Sequence, residues 1–263
     1  MRKLFLAASL FALTAGAARA DVNLWIDDTS GNIGMVDLTT GAVTQVHNTG
    51  QALTDIAFVG AQMFGTTFNS LVKINDATGA STLVGNYSVG DGGMNALVGD
   101  GASLLAASNA TTEVYSVNPA SAAATNFAGD LLPSAGDLAF AGKTLFLSGT
   151  NANAGDSLVN VSAGSVVGAF SPAETSVFGL ANDGTQTFAV DGTEIFSVNT
   201  ATAQLTPLFN YGGHGLGDAN GTAFISENVN PNSAVPEPST WIMLIAGFAA
   251  VGFIGYRRQT FAV

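Results

Sequence analysis

The sequence predicts an all-β protein: a β-propeller of about five four-stranded blades, with six as the alternative count, carried between an N-terminal signal peptide and a C-terminal single transmembrane helix. Three observations lead there. Apolar runs of four to seven residues recur with polar turns between them, and many alternate with the period of two that strands require. These runs group into a unit that repeats about every forty residues, four strands to a unit, which is the size and content of a blade. No stretch between Asp21 and Ser226 carries a convincing helical period.

The elements follow in chain order. Arg2 and Lys3 precede an apolar run from Leu4 to Leu13, and Ala18-Arg19-Ala20 ends in the small-x-small pattern that signal peptidase reads. Residues 1–20 are therefore expected to leave, and the mature chain to begin at Asp21. The run is too short for a retained anchor.

The repeat domain, 21–226, opens in mid-unit: Asn23 to Asp28, Asn32 to Leu38 and Ala42 to His47 match second, third and fourth strands. First-strand segments then begin at Asp55, Asn95, Asp137, Phe178 and Leu216, spaced by 40, 42, 41 and 38 residues. Second strands follow at Gln62 to Phe68, Ser103 to Ser108, Thr144 to Ser148 and Gln186 to Val190. The third strands start at Ser70, Glu113, Asp156 and Glu194, and fourth strands include Ser81 to Val84 and Gln204 to Phe209.

The turns from third to fourth strand share a chemistry: Asp37-Leu-Thr-Thr-Gly41, Asn75-Asp-Ala-Thr-Gly79, Asn118-Pro-Ala-Ser-Ala122 and Asn199-Thr-Ala-Thr-Ala203. Asp or Asn there bonds its own backbone to start a turn, and Gly tolerates positive φ. The chain finishes on a first-strand match at Leu216 to Ala219 and another run at Thr222 to Ser226, so one blade is expected to be built from both termini. Both termini offer a second strand, which leaves six blades or an open arrangement as the alternative. A β-sandwich or a β-solenoid is the competing architecture.

After a linker at 227–235 comes the tail, 236–263. Pro236-Glu237-Pro238 precedes an uncharged span at 239–256, long enough at about 27 Å to cross a hydrocarbon core. Trp241 and Tyr256 bracket that span at interfacial depth, and Arg257 and Arg258 orient it with the arginines in the cytoplasm. The two prolines keep the preceding stretch extended. This order of Pro-Glu-Pro, hydrophobic span and basic cluster resembles the PEP-CTERM sorting tail of Gram-negative bacteria, although Gln259 to Val263 run past the usual stop. The resemblance implies export, retention in the inner membrane and processing by an exosortase, commonly in species that build an exopolysaccharide matrix. A plain anchor that is never cut is the alternative. The repeat domain resembles extracellular β-propellers with strand–Asn/Asp-x-x-Thr-Gly–strand blades, and it lacks the Gly-His and Trp-Asp signatures of the WD repeat.

Composition narrows the chemistry. Between the two targeting segments only Lys73 and Lys143 stand against eighteen acids, a charge of about −16, which excludes nucleic acid and disfavours anionic polysaccharide. The chain has no cysteine, so disulfides, thiolate chemistry and Cys-based zinc sites are ruled out. Asp55 and Asp137 open equivalent channel-lining strands with Asn95 between them in the series. They either offer oxygens to a Ca²⁺ ion or cap turns and bond blade backbones. His47 reads as surface. His214, with Asp218 nearby, is the only other histidine, and it reads as a loop residue beside glycines rather than a base or metal ligand. Gly90-Asp91-Gly92-Gly93 is an inter-blade turn lacking the lysine and helix of a phosphate loop. Asp27 and Asp28 face opposite ways on a strand and do not flank one bond. Tyr87, Tyr115 and Tyr211 either stack on sugars or pack between blades.

The expected function is that of a non-catalytic, cofactor-free surface or matrix module binding exopolysaccharide or a protein. The competing reading is a propeller hydrolase or lyase with a channel-bound divalent cation, and a third is a structural spacer.

Overall fold

A computed structural model describes residues 23–90, 92–129 and 132–228. The signal-cleavage residues Ala18, Ala20 and Asp21 lie outside the described residues, as do Asp91, the linker beyond Asn228, the 239–256 span, and Pro236, Glu237, Pro238, Arg257 and Arg258.

Twenty strands form five four-stranded antiparallel sheets. In chain order, β1 (Asn23–Asp28), β2 (Asn32–Asp37) and β3 (Val43–Asn48) make most of the first blade. The second is β4 (Asp55–Val59), β5 (Gln62–Thr66), β6 (Ser70–Ile74) and β7 (Ser81–Asn86). The third is β8 (Met94–Asp100), β9 (Ser103–Ser108), β10 (Glu113–Val117) and β11 (Ala124–Gly129). The fourth is β12 (Ser134–Ala141), β13 (Thr144–Asn151), β14 (Gly155–Asn160) and β15 (Ser165–Ala169). The fifth is β16 (Val177–Asn182), β17 (Thr187–Asp191), β18 (Glu194–Asn199) and β19 (Gln204–Asn210). Finally β20 (Ala219–Ala223) pairs with β1 and completes the first blade.

The count is five, and closure comes from one C-terminal and three N-terminal strands, which completes the first blade at four strands like the others. The Asp28 carboxylate strengthens the seam by accepting the Gly217 N–H at 2.9 Å. Two expectations at this end fail. Leu216 starts no strand; its side chain packs against Gly34 in the wedge between first and fifth blades. Thr222 and Ala223 belong to β20, and Ile225–Asn228 is a 3-10 helix, so no second candidate strand competes with β1.

Hydrophobic burial is divided into five wedges, one at each interface between adjacent blades. Strand alternation produces this directly. On β1, Leu24 and Ile26 point into the wedge shared with the fifth blade, while Trp25 points into the wedge shared with the second and meets Phe58 edge-on. Tyr87, Tyr115 and Tyr211 are all buried in such wedges, which removes them as exposed sugar platforms.

The turns from third to fourth strand behave as the repeat predicts. The Asp37, Asn118 and Asn199 side chains accept N–H groups two residues ahead at 2.7, 2.8 and 3.0 Å. Gly41 and Gly79 take φ of 72° and 74°, and Ala122 and Ala203 adopt the same left-handed region at 57° and 58°. Both alanine methyls are fully buried against the neighbouring blade, and that burial offsets the backbone strain. Each outer strand also carries a register shift where it pairs with the third, and bulges there interrupt the row of unpaired backbone groups that would invite another chain.

Candidate binding site at the channel mouth

The inner strands β4, β8, β12, β16 and β20 all begin at one face, and the equivalent seat near each start is Asp55, Asn95, Asp137, Phe178 and Asn220. The last seat lies four residues beyond the expected Leu216. Acid and amide seats work in opposite senses. Asp55 Oδ2 accepts the Leu97 N–H of the next strand. Asp137 Oδ2 accepts Leu180 N–H at 2.7 Å and reaches across the channel to Thr222, whose N–H and hydroxyl donate at 3.0 and 2.9 Å. Asn95 Nδ2 instead donates to the Ala135 carbonyl at 2.9 Å, and Asn220 Nδ2 to the Leu53 carbonyl at 2.9 Å. Each of the four polar seats therefore stitches one blade to another, which is the backbone-bonding alternative raised for Asp55 and Asp137.

Inside the ring of seats the throat is acidic and buried. Asp55 and Asp137 are fully buried and close enough for each carboxyl to act on the other's titration. Burial, reinforced by the charge of Asp137 and then Asp27, holds the Asp55 carboxyl well above its usual range. Burial raises Asp137 as well, against the lowering effect of the groups that donate to it. Asp27 is buried on β1 with neither oxygen partnered, and burial followed by the charges of Asp137 and Asp28 raises it strongly. A methyl group on Gly221 would stand 2.0 Å from Asp55 Oδ1, so the glycine makes room for that carboxyl. Among the described residues no three His, Cys, Asp or Glu side chains group so as to hold a metal ion.

The 3-10 helix Ile225–Asn228 closes the far end, where the inner strands finish. Glu227 is buried there and accepts the Asn182 N–H at 3.1 Å, so the folded body extends past the expected boundary at 226. Burial, then the charge of Asp137, pushes its carboxyl well up.

The near end stays open. A cavity of about 290 Å³ occupies the mouth, lined by Thr54, Phe68, Asn95, Ser134, Phe178 and Asn220 among others. Asn95 Oδ1 and Ser134 Oγ are buried there without a hydrogen-bond partner, in residues only 6% and 2% exposed. Phe68 is 46% exposed at the rim. Two larger grooves of about 420 and 380 Å³ lie at equivalent places on the fifth and second blades, but their polar groups answer one another. Gln186 Nε2 donates to the Thr187 and Val198 carbonyls, and Gln62 Nε2 to those of Met63 and Ile74.

Sequence reasoning placed Asp55, Asn95, Asp137 and Phe178 at the starts of channel strands but missed Ser134, Phe68 and Asn220. A strict count of about 41 residues onward from Phe178 would have pointed to Asn220. Nothing in the sequence marks Ser134 or Phe68. His214 and Asp218 are exposed in the loop before β20, with no hydrogen bond between them, and His47 is half-buried on β3. Asp28 turns to the loop N–H groups of Ser30 and Asn32 while Asp27 turns inward, the opposed facing expected of neighbours on a strand.

Fold and site together define a five-bladed β-propeller with a sealed throat and an open mouth whose described lining carries no charge. Its address is carried separately: residues 234–259 match the PEP-CTERM protein-sorting motif. That motif implies export, a C-terminal membrane anchor before processing, and an exosortase as the processing partner. The chain matches no curated protein. Among solved structures, it is similar to a chain of a nidogen/laminin complex at 15% identity and a TM-score of 0.50, covering 77% of this chain and 80% of that one. A computationally designed protein, Ika8, aligns at 14% identity and a TM-score of 0.37 over 76% of this chain. The chain spans 62% of the designed protein's length. At these identities the likeness concerns the fold alone.

Proposed function

We propose that this protein is an exported, non-catalytic binding module that uses the mouth face of its propeller to hold exopolysaccharide or a protein at the cell surface or in the extracellular matrix. One observation carries the reading: the described chain ends at the floor of the channel, opposite the mouth. A tail leaving from the floor tethers the propeller with its mouth turned away from the membrane, towards matrix and neighbours. The mouth face also bears the longer connections between blades, which suit recognition better than the tight turns of the floor. Exosortase processing then decides whether the module stays or is released.

A non-catalytic role is supported by the state of the two channel acids. Asp55 and Asp137 are spent on N–H groups of neighbouring strands and lie out of a ligand's reach. The module works without a cofactor on this reading. Mass spectrometry of secreted material tests the sorting step: a C-terminus near Pro236-Glu237-Pro238 is expected, whereas intact chain confined to membranes would reduce the tail to a plain anchor. Retention of matrix polysaccharide or protein by the immobilised full-length chain tests the binding step, and failure to retain either would leave only a spacer.

A further inference from the structure

The chemistry of the mouth is more specific than a general binding face. Asn95 Oδ1 is an acceptor buried without a donor, and Ser134 Oγ is a buried hydroxyl without a partner. Buried polar groups left unanswered are unfavourable, so a ligand that answers them gains on binding. Both residues line the same cavity as Phe68 and Phe178. Among the described residues no carboxylate, lysine or arginine lines it, so none of them offers a cation or an anion a counter-charge. The acidic domain further repels anions. A purely apolar ligand would cover the rings and leave the two polar atoms stranded. What remains is a molecule with hydroxyl donors on its edge and C–H groups on its face.

Resting on the binding-module reading above, we propose that the channel mouth binds the terminal residue of a neutral glycan, a hexose or N-acetylhexosamine. A sugar hydroxyl donates to Asn95 Oδ1, a second exchanges a hydrogen bond with Ser134 Oγ, and the axial C–H face of the ring lies against Phe68, whose π face is electron-rich. Asn95 is held for this task, because its Nδ2 is already committed to the Ser134 and Ala135 carbonyls and its Oδ1 is thereby turned free. The volume, about 290 Å³, sits at the small end of ligand pockets, which suits a chain end rather than a length of polymer. The throat beneath is closed by the Asp55–Asp137 pair, so the chain end enters and stops.

The test uses the full-length protein in zwitterionic micelles without sugar headgroups, applied to an array of neutral hexose and N-acetylhexosamine oligosaccharides, with uronic-acid and sulfated chains as the anionic arm. Binding of at least one neutral chain is expected, with the free monosaccharide of its non-reducing end competing. Phe68→Ala and Ser134→Ala should each weaken it about tenfold without moving the thermal midpoint, and Phe68→Tyr should retain it. Tighter binding of the anionic chains would overturn the proposal. So would neutral binding that both variants leave intact, since the sugar would then sit elsewhere. If no array glycan binds while the immobilised protein still retains a matrix partner, the sugar assignment fails and the module reading survives. If neither binds, both fail.

Discussion

The two ends of the channel are made from the same five strands, yet they have opposite outcomes. At the floor the chain closes its own opening: Ile225–Asn228 folds across the strand ends, and Glu227 takes up the N–H of Asn182, although Ser226 Oγ beside it finds no partner. At the mouth no described residue folds across, and Asn95, Ser134, Phe68 and Phe178 line an open cavity. Between them the Asp55–Asp137 pair spans the throat. The contrast teaches that propeller symmetry supplies a ring of equivalent seats, and that the side chains at those seats decide which end seals and which receives.

The largest effect should come from cutting the throat. Asp137→Ala strands the N–H groups of Leu138, Leu180 and Thr222 and leaves Asp55 without its partner, for an expected loss of about 3–5 kcal/mol. Urea unfolding measures it, and an unchanged midpoint would mean that the throat does not hold the blades together.

Next in size is the pH response. Asp27, Asp55, Asp137 and Glu227 all have folded-state pKa values raised chiefly by burial, so the folded protein binds their protons more tightly than the unfolded chain does. The stabilisation is fully present below the unfolded carboxyl pKa near 4 and is lost as pH rises through the folded values. Melting temperatures should therefore fall steadily from about pH 5 to pH 9. Asp27→Asn should flatten that slope; a midpoint that climbs with pH would reverse the assignment of these acids as neutral.

At the floor, Glu227→Ala should cost about 1–3 kcal/mol by removing the acceptor of the Asn182 N–H, with Glu227→Gln restoring most of it. If the mouth and floor are independent, neither variant changes glycan affinity. The smallest effect belongs to the mouth: Ser134→Ala deletes a hydroxyl that bonds nothing in the protein, so stability should move by less than about 0.5 kcal/mol or rise slightly. A large loss there would mean that Ser134 serves the fold.

Much of this was legible in the residues. The Asp/Asn-led turns after Asp37, Asn75, Asn118 and Asn199 appear where the repeat puts them. A fifth, after Asn160, has the Asn side chain accept an N–H three residues ahead, that of Ala163, and ends on Gly164 at φ 60°. Asp55 and Asp137 were placed at the channel because strand starts recur at a fixed interval. Asn220 escaped because the apolar signal at Leu216 was stronger, though that leucine serves a wedge between blades. Glu227 read as linker because a lone acid after the last strand has no sequence mark of burial. Phe68 read as strand, yet β5 stops at Thr66 and leaves the ring at the rim.

Taken alone, the order of residues determined the address and the architecture: an export leader, a sorting tail, and a ring of small sheets, each written in local pattern within a window of some forty residues. Only the folded molecule decided that Asp137 meets Thr222 from 85 positions away, that one end of the channel is stoppered, and that Asn95 and Ser134 keep unanswered atoms at the other. The reason is physical. Alternation records which side of a strand a residue takes, whereas the partner it meets there is set by ring closure, which brings together groups that no local period connects.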